Sequence, residues 1–327
     1  MNKLLKIAAY LIAAVVLLLI IALAFLQLGF PKVDPAPELT IEYTPDRIER
    51  GAYLANHVTV CMDCHSTRDF SRFSGPPAPG TLGAGGDVFD HSMGLPGVFY
   101  AKNITPHGIS DYSDGELYRL ITTGVTNDGR PMFPLMPYTY YGKMDPEDIY
   151  DIIAYVRSLS AIETDIPDSE ADFPVNLILR TIPKNAEMTK KPDPTDQVAY
   201  GGYLVNASGC VECHTQVDPQ GMILQDVKFA GGRSFPFPDG SIVTSSNITQ
   251  DDETGIGNWN EEMFVQRFAQ YADSGYVIPK VSPGEFNTIM PWTMYAGMKK
   301  EDLRAIYAYL KTIEPIKNEV VKFAASN

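Results

Sequence analysis

Two five-residue runs carry the chemistry this chain can do: Cys61-Met62-Asp63-Cys64-His65 and Cys210-Val211-Glu212-Cys213-His214. Together they use all four cysteines of the 327 residues, so no thiol is left over for a disulfide or another site. Two cysteines three positions apart lie on one side of a helical turn. From there both thiols can reach the two vinyl groups of one porphyrin, and the adjacent histidine is held beneath the iron as an axial ligand. The spacing therefore predicts two covalently bound haem c groups, one through Cys61, Cys64 and His65 and one through Cys210, Cys213 and His214. A zinc site would want four protein ligands, and neither run has a second Cys or His pair at suitable spacing. A thioredoxin-like redox pair would need a strand–helix–strand context that the surrounding pattern lacks.

The second axial ligand follows by elimination. The later half of the chain contains one histidine, His214, which is already used. Methionine is the natural alternative for electron transfer and raises the potential relative to histidine. Met136 in Leu135-Met136-Pro137-Tyr138 aligns with Met290 in Ile289-Met290-Pro291-Trp292. A proline after each methionine stiffens the loop that presents the sulfur, so Met136 and Met290 are the expected ligands. Met132 is the competing choice in the first half, but the second half has no counterpart to it. Met144 and Met298 also align, each just before a closing helix, and read as core. The spare histidines His57, His91 and His107 read as surface or core side chains. Gly83–Gly86 lacks the strand–turn–helix setting of a nucleotide loop and reads as a turn. Asn103 and Asn247, each opening an Asn-Ile-Thr triplet, either form a local turn or hydrogen-bond around the haem periphery. Tyr112 and Trp259 occupy equivalent positions and are expected to pack against haem or helix.

These residues sit in a duplicated framework. Arg50–Asn56 returns as Tyr200–Asn206, Ala84–Phe89 as Ala230–Phe235, Asn103–Thr105 as Asn247–Thr249, and Leu135–Met144 as Ile289–Met298. Landmarks recurring in one order at nearly constant spacing mark an internal repeat. Two homologous domains are expected at 41–160 and 195–320, with a linker at 161–194. Asp145 is a plausible helix cap with Pro146 behind it, and Ile149, Ile152, Ile153, Val156 and Leu159 follow at helical spacing. Leu303, Ile306, Tyr307, Leu310 and Ile313 repeat that pattern, so each domain closes with an amphipathic helix. Gly51 and Gly201 fall on the helices before each cysteine motif, where a small residue would let the closing helix cross tightly. No run of alternating residues makes a convincing sheet, and the expected class is all-α. Within the linker, the apolar run Phe173–Pro183 is expected to pack across both domains, with a partner or the membrane as alternatives.

Ahead of the repeat, Ile7–Phe30 runs without a charge, long enough to span a bilayer. Lys3 and Lys6 precede it, and Asp34 and Glu38 follow, which orients the N-terminus to the cytoplasm. A single-pass anchor at 1–30 is expected in the inner, cytoplasmic membrane, then a Pro-rich stalk at 31–40, with the haem domains on the periplasmic, extracytoplasmic side. A cleaved signal peptide is the competing reading, and it exports the same body. Gly (26) and Pro (25) are both plentiful, which points to long ordered loops. The formal charge is −14, from 26 Lys plus Arg against 40 Asp plus Glu, which speaks against nucleic acid as a partner.

The order Cys-x-x-Cys-His, Asn103–Pro106, Ile109–Tyr138 and Asp148–Leu159 resembles the cytochrome c subunits of membrane-bound alcohol, gluconate and sorbitol dehydrogenases. The resemblance covers nearly everything after the anchor and implies tandem cytochrome c-like domains. It also implies that the methionine of the Met-Pro-Tyr element is the distal ligand, which maps onto Met136 and, through Met-Pro-Trp, onto Met290. Two departures stand out. Those subunits carry three haems where this chain has two motifs, and the segment Thr123–Pro134 is replaced in the second half by Gln270–Ile289. The expected function is electron transfer between redox partners: a dehydrogenase, a quinol-oxidising complex or a terminal oxidase. No catalytic residue is expected, since substrate oxidation would occur on another chain. A dihaem peroxidase is the enzymatic alternative, requiring one displaceable axial position and an acid–base group beside it.

Overall fold

The computed structural model describes residues 3–219 and 221–326. Helix α1 (Lys3–Gly29) carries no charge after Lys6, includes an 18-residue stretch of mean hydropathy 3.1 and buries none of its residues in the protein. At about 1.5 Å per residue it is long enough to cross a bilayer. An extended segment then leads to α2 (Pro45–Tyr53), started by Thr44, whose hydroxyl accepts from the Arg47 amide, with Pro45 at the first position. A π-helical turn (Leu54–Val58) carries the chain into α3 (Cys61–Cys64), the single turn that bears the first cysteine pair. After a loop region come α4 (Asp114–Thr123), α5 (Tyr138–Tyr141) and α6 (Pro146–Ser158). Asp145 caps α6 as its sequence suggests, accepting from the Glu147 amide at 3.0 Å. A short α7 (Val175–Ile178) lies in the linker. The same order then returns as α8 (Gln197–Ala207), α9 (Cys210–Cys213), α10 (Glu261–Ala269), α11 (Trp292–Tyr295) and α12 (Lys300–Leu310).

In each half, the helix before the cysteine motif packs against the closing helix: α2 on α6 and α8 on α12. The crossing is backbone-close. A Cβ at Gly51 would overlap the Asp151 carbonyl oxygen, and one at Gly201 would overlap that of Ala305. Leu54, Val58, Ile149 and Ile153 close the first crossing, Leu204, Leu303 and Ile306 the second, and all lie in one buried cluster that runs through both halves.

The all-α expectation needs a correction. Among the described residues two small antiparallel sheets are present, β1 (Val88–Phe89), β2 (Gly97–Tyr100) and β3 (Glu170–Ala171) in one, β4 (Ser234–Pro236), β5 (Ile242–Thr244) and β6 (Phe323–Ala324) in the other. Strands of two to four residues are too short to show alternation. Their partners lie far away in sequence: β3 belongs to the linker and pairs Gly97 with Ala171, while β6 belongs to the C-terminal tail and pairs Ile242 with Ala324. The sheets are clasps that fasten connecting chain to the helical body.

The linker run Phe173–Pro183 also departs from expectation. Leu179 is buried, but Phe173 and Ile178 are exposed, and Arg180 donates to the carbonyls of Gln27 and Phe30 at the end of α1. Asn185 adds a paired contact with Asp34. These polar contacts fasten the linker to the base of the apolar helix.

The halves meet through a reciprocal pair of hydrogen bonds. Tyr203 donates to Asp148 at 2.7 Å and accepts from the Asp145 amide, and its repeat-mate Tyr53 donates to Asp302 at 2.5 Å and accepts from the Lys299 amide. Each tyrosine thus caps the start of the other half's closing helix. Asp148 is fully buried and also bonds Arg50 and Lys191. Burial pushes its carboxyl up, yet Arg50 and Lys191 overcome this and hold it below the usual range.

Two outcomes follow. Gly51→Ala is expected to lower stability by at least about 3 kcal/mol, read by thermal unfolding, because two helix backbones must separate to admit the methyl group. Asp148 contributes stability that is full above its unfolded pKa of about 3.9 and fades as pH falls through its lower folded value. Asp148→Asn should therefore cost about 2 kcal/mol near pH 7, and the gap to wild type should close below about pH 4 in unfolding curves taken across pH.

Candidate haem sites

Each cysteine pair rides on one helical turn that begins from a left-handed residue, Val60 (φ 45°) before Cys61 and Gly209 (φ 60°) before Cys210. The turn directs both thiols to one side. Desolvation by the surrounding protein pushes the thiol pKa up, to about 12 for Cys64 and Cys210 and about 11 for Cys213. None is closed off, however. Cys64 is solvent-exposed and the other three partly so. None of the four is joined in a disulfide. Thr59 touches Cys61 at 3.2 Å, and the following Tyr141 and Tyr295 hydroxyls donate to the carbonyls of Thr59 and Ser208, one residue ahead of each left-handed turn.

The histidines are oriented in the same way in both halves. His65 Nδ1 lies 2.7 Å from the Lys102 carbonyl oxygen, and His214 Nδ1 lies 2.7 Å from that of Ser246. A carbonyl accepts only, so each ring carries its proton on Nδ1 and leaves Nε2 as the free lone pair. Burial lowers both pKa values against the opposing pull of the carbonyl bond, which keeps the imidazoles neutral. A neutral ring fixed through one nitrogen is how a metal-ligating histidine is prepared.

The Asn-Ile-Thr triplets follow directly on Lys102 and Ser246 and so fix the loops that present those carbonyls. Asn103 Oδ1 accepts from both the amide and the hydroxyl of Thr105, while its Nδ2 donates to the Ile162 carbonyl and the Thr164 hydroxyl. Asn247 does the same with Thr249, Ile316 and Thr254. All four bonding positions of each amide are filled by protein, so the turn-forming reading holds over a role at the haem periphery. The turn also ties the loop to the chain emerging from the closing helix. Lys102 and Ser246 act through their backbones, and only the asparagine that follows each could have signalled them. Close by, Gly85 and Gly231 have φ of 75° and 70° and donate to the His65 and His214 carbonyls, and a Cβ on either would strike the backbone of its triplet loop.

Met136 and Met290 are each partly buried against the core and each stands before a proline in the same tight turn. The Tyr138 amide donates back to the Met136 carbonyl across Pro137 (φ −79°, ψ 52°), and the Trp292 amide to that of Met290 across Pro291 (φ −80°, ψ 64°). These are inverse γ-turns, which a proline is pre-set to make. Met144 and Met298 are buried in the core at 0% and 5% exposure, as their place before the closing helices suggests. Met132 donates its amide to Gly124 beside a two-stranded bridge. His57 bonds the Met294 carbonyl across the halves, His91 pairs with Asp172, and His107 is exposed. Tyr112 and Trp259 both pack against the shared core. Among the described residues no cluster of three or more His, Cys, Asp and Glu side chains is arranged to hold a metal ion. Paired thiols on one turn, next to a neutral imidazole with Nε2 free, fit a covalently attached haem.

No family model matches the chain. Three curated proteins are similar to it. The "Alcohol dehydrogenase (quinone), cytochrome c subunit" of Gluconacetobacter polyoxogenes is 27% identical over 296 residues, 84% of this chain and 58% of that protein. The "Gluconate 2-dehydrogenase cytochrome c subunit" of Pantoea cypripedii is 26% identical over 286 residues, 81% of this chain and 59% of that protein. A "Diheme cytochrome c-type" protein of Cereibacter sphaeroides is 28% identical over 315 residues, 93% of this chain and 98% of that protein. The chain resembles cytochromes c. It spans 58% and 59% of the two dehydrogenase subunits. The similarity implies covalently bound haem c and supports electron transfer as the class of function.

Asn247→Asp keeps the acceptor for Thr249 and turns the donor toward the Ile316 carbonyl into a second acceptor. It should destabilise the protein by about 2 kcal/mol at neutral pH in denaturant titration, as should Asn103→Asp against Ile162.

Proposed function

We propose that this chain is a membrane-anchored electron carrier with two covalent haem c groups, His65 and Met136 serving one, His214 and Met290 the other. The observation that carries the reading is the repeat of a whole constellation: thiol pair on one turn, carbonyl-fixed imidazole, and methionine before a proline-centred γ-turn, in each half. Haem c supplies the one-electron iron couple. The chain's own residues do the rest. Lys102 and Ser246 hold each imidazole at one angle, Pro137 and Pro291 limit how far each methionine sulfur can swing, and the shared core sets the two sites at a fixed separation.

Two like sites of this kind favour a carrier over a peroxidase, which needs one displaceable ligand. Helix α1, with Lys3 and Lys6 ahead of it, is the anchor of this proposal in the cytoplasmic membrane, with residues 41–160 and 195–320 forming two domains on the periplasmic side. Two of the three similar proteins are named as dehydrogenase subunits, so a substrate-oxidising chain is the proposed electron donor, and a quinol-oxidising complex or terminal oxidase the competing partner. Gentle solubilisation of native membranes and capture of this chain would separate them by what is recovered.

The ligand assignment has its own test. Met136→Ala and Met290→Ala should each remove the methionine–iron absorption of one haem, lower its midpoint potential and let carbon monoxide combine with one ferrous site. Met298→Ala should destabilise the protein by about 2–5 kcal/mol through a core cavity and leave both signatures in place. Ready binding of carbon monoxide by one haem of the unmodified protein would favour the peroxidase.

A further inference from the structure

The two methionine turns are alike in shape but not in what holds them. In the first half the supports are local. Val125 bridges Pro131, the Thr126 amide bonds the Arg130 carbonyl, and the Met132 amide bonds that of Gly124, all within the segment leading to Met136. The second half lacks that segment, and residues 270–289 stand in its place. Those residues are fastened to the first half, to the loop that follows His65. Arg72 bridges Lys280, with the Phe73 amide donating to the Pro279 carbonyl and the Val281 amide to that of Ser71. Phe73 stacks on Tyr271 and packs on Phe286.

The contacts reach the methionine turn itself. Ser74 is fully buried, and its hydroxyl donates to the Met290 carbonyl at 2.6 Å while accepting from the Trp292 amide at 2.9 Å. It therefore spans the two ends of the γ-turn centred on Pro291. The Ser74 amide donates to Asn287 Oδ1, and Asn287 Nδ2 donates to the Phe70 and Arg72 carbonyls. Arg68 completes the link. It pairs with Asp63, which lies between Cys61 and Cys64, and its guanidinium also donates to the Ser74 and Ile289 carbonyls. Ser74 holds φ at 68°, a left-handed conformation that serine adopts at some cost and that the surrounding bonds maintain.

We infer that Ser74, with Asn287, is a positioning residue of the first half that sets the Met290 sulfur of the second, so that the later site is completed by the earlier half. The inference rests on Met290 being an axial ligand. A hydroxyl bonded to both ends of a turn limits the swing of the side chain at its head. Without it, Met290 would sample positions away from His214, and the reduced state, which methionine ligation favours, would lose stability relative to the oxidised one.

The test uses the full chain with both haems, in detergent. Ser74→Ala removes the hydroxyl, and Ser74→Gly removes it while accepting the left-handed backbone freely, so one of the pair separates loss of the bond from backbone strain. Met290→Ala is run alongside. Both Ser74 variants should bind carbon monoxide at one ferrous haem at least tenfold faster than wild type. The same haem, identified as the one altered by Met290→Ala, should show a lower midpoint potential, about 59 mV for a tenfold loss of the reduced state's advantage. The other haem should keep its potential. If Met290→Ala alters one haem while both Ser74 variants leave rates within twofold and potentials unchanged, Ser74 is merely structural and the inference fails. An effect of Ser74→Gly on the haem that Met290→Ala leaves alone would overturn it equally. A silent Met290→Ala would instead remove the ligand assignment beneath it.

Discussion

The structure depends on two helix crossings at backbone distance. Where α2 meets α6 and α8 meets α12, Gly51 and Gly201 admit the carbonyls of Asp151 and Ala305 to where a side chain would otherwise stand. That closeness is what lets the helix before each cysteine motif lie flat on the closing helix. Its last residues then deliver Cys61 and Cys210 at one defined height, and the chain leaving the closing helix passes beside the Asn-Ile-Thr loop. Asn103 and Asn247 bond that departing chain at Ile162 and Ile316, so the carbonyl that orients each imidazole is referenced to the same crossing. Loosening the crossing would loosen thiols and imidazole together.

Much of this was legible in the residues because it is local or repeated. The Cys-x-x-Cys-His runs, the Asp145 cap, the helical spacing in the closing helices and the glycines before each motif all act over fewer than five residues or appear twice. Duplication was the stronger guide, since it paired Met136 with Met290, whose turns the fold repeats, and made the Asn-Ile-Thr triplets stand out. What escaped was long-range. β3 and β6 are two residues long and pair with strands more than seventy positions away, so no periodicity could announce them. The apolar linker run looked like packing material because its composition says nothing about which neighbour is near, and the end of α1 is near only in three dimensions.

Ser74 shows the same limit more sharply. A serine in a Phe-Ser-Gly stretch reads as a turn residue, and its left-handed φ fits that. Nothing nearby in sequence signals that its hydroxyl ends inside a turn more than two hundred positions away. The only trace was negative: the second half lost the segment that supports Met136 in the first. A lost support with a retained Met-Pro turn means that something else must hold the turn, and the fold supplies it from the other half.

That exchange of supports bears on why the two halves are joined at all. Tyr53 and Tyr203 each cap the other half's closing helix, His57 bonds the Met294 carbonyl, and Asn206 bonds that of Tyr140. The charges of Asp63 and Arg68, in the first motif's surroundings, reach the Cys213 thiol of the second. Two independent carriers on a flexible tether would meet by diffusion, with a variable gap between their sites. Halves that share a buried cluster and complete each other's polar contacts keep one gap, and for the carrier proposed above, handing electrons between two sites, a fixed gap matters more than the freedom of either half. The asymmetry at Ser74 is then a consequence of that sharing: once the interface is permanent, either half can give up a local support that its neighbour provides.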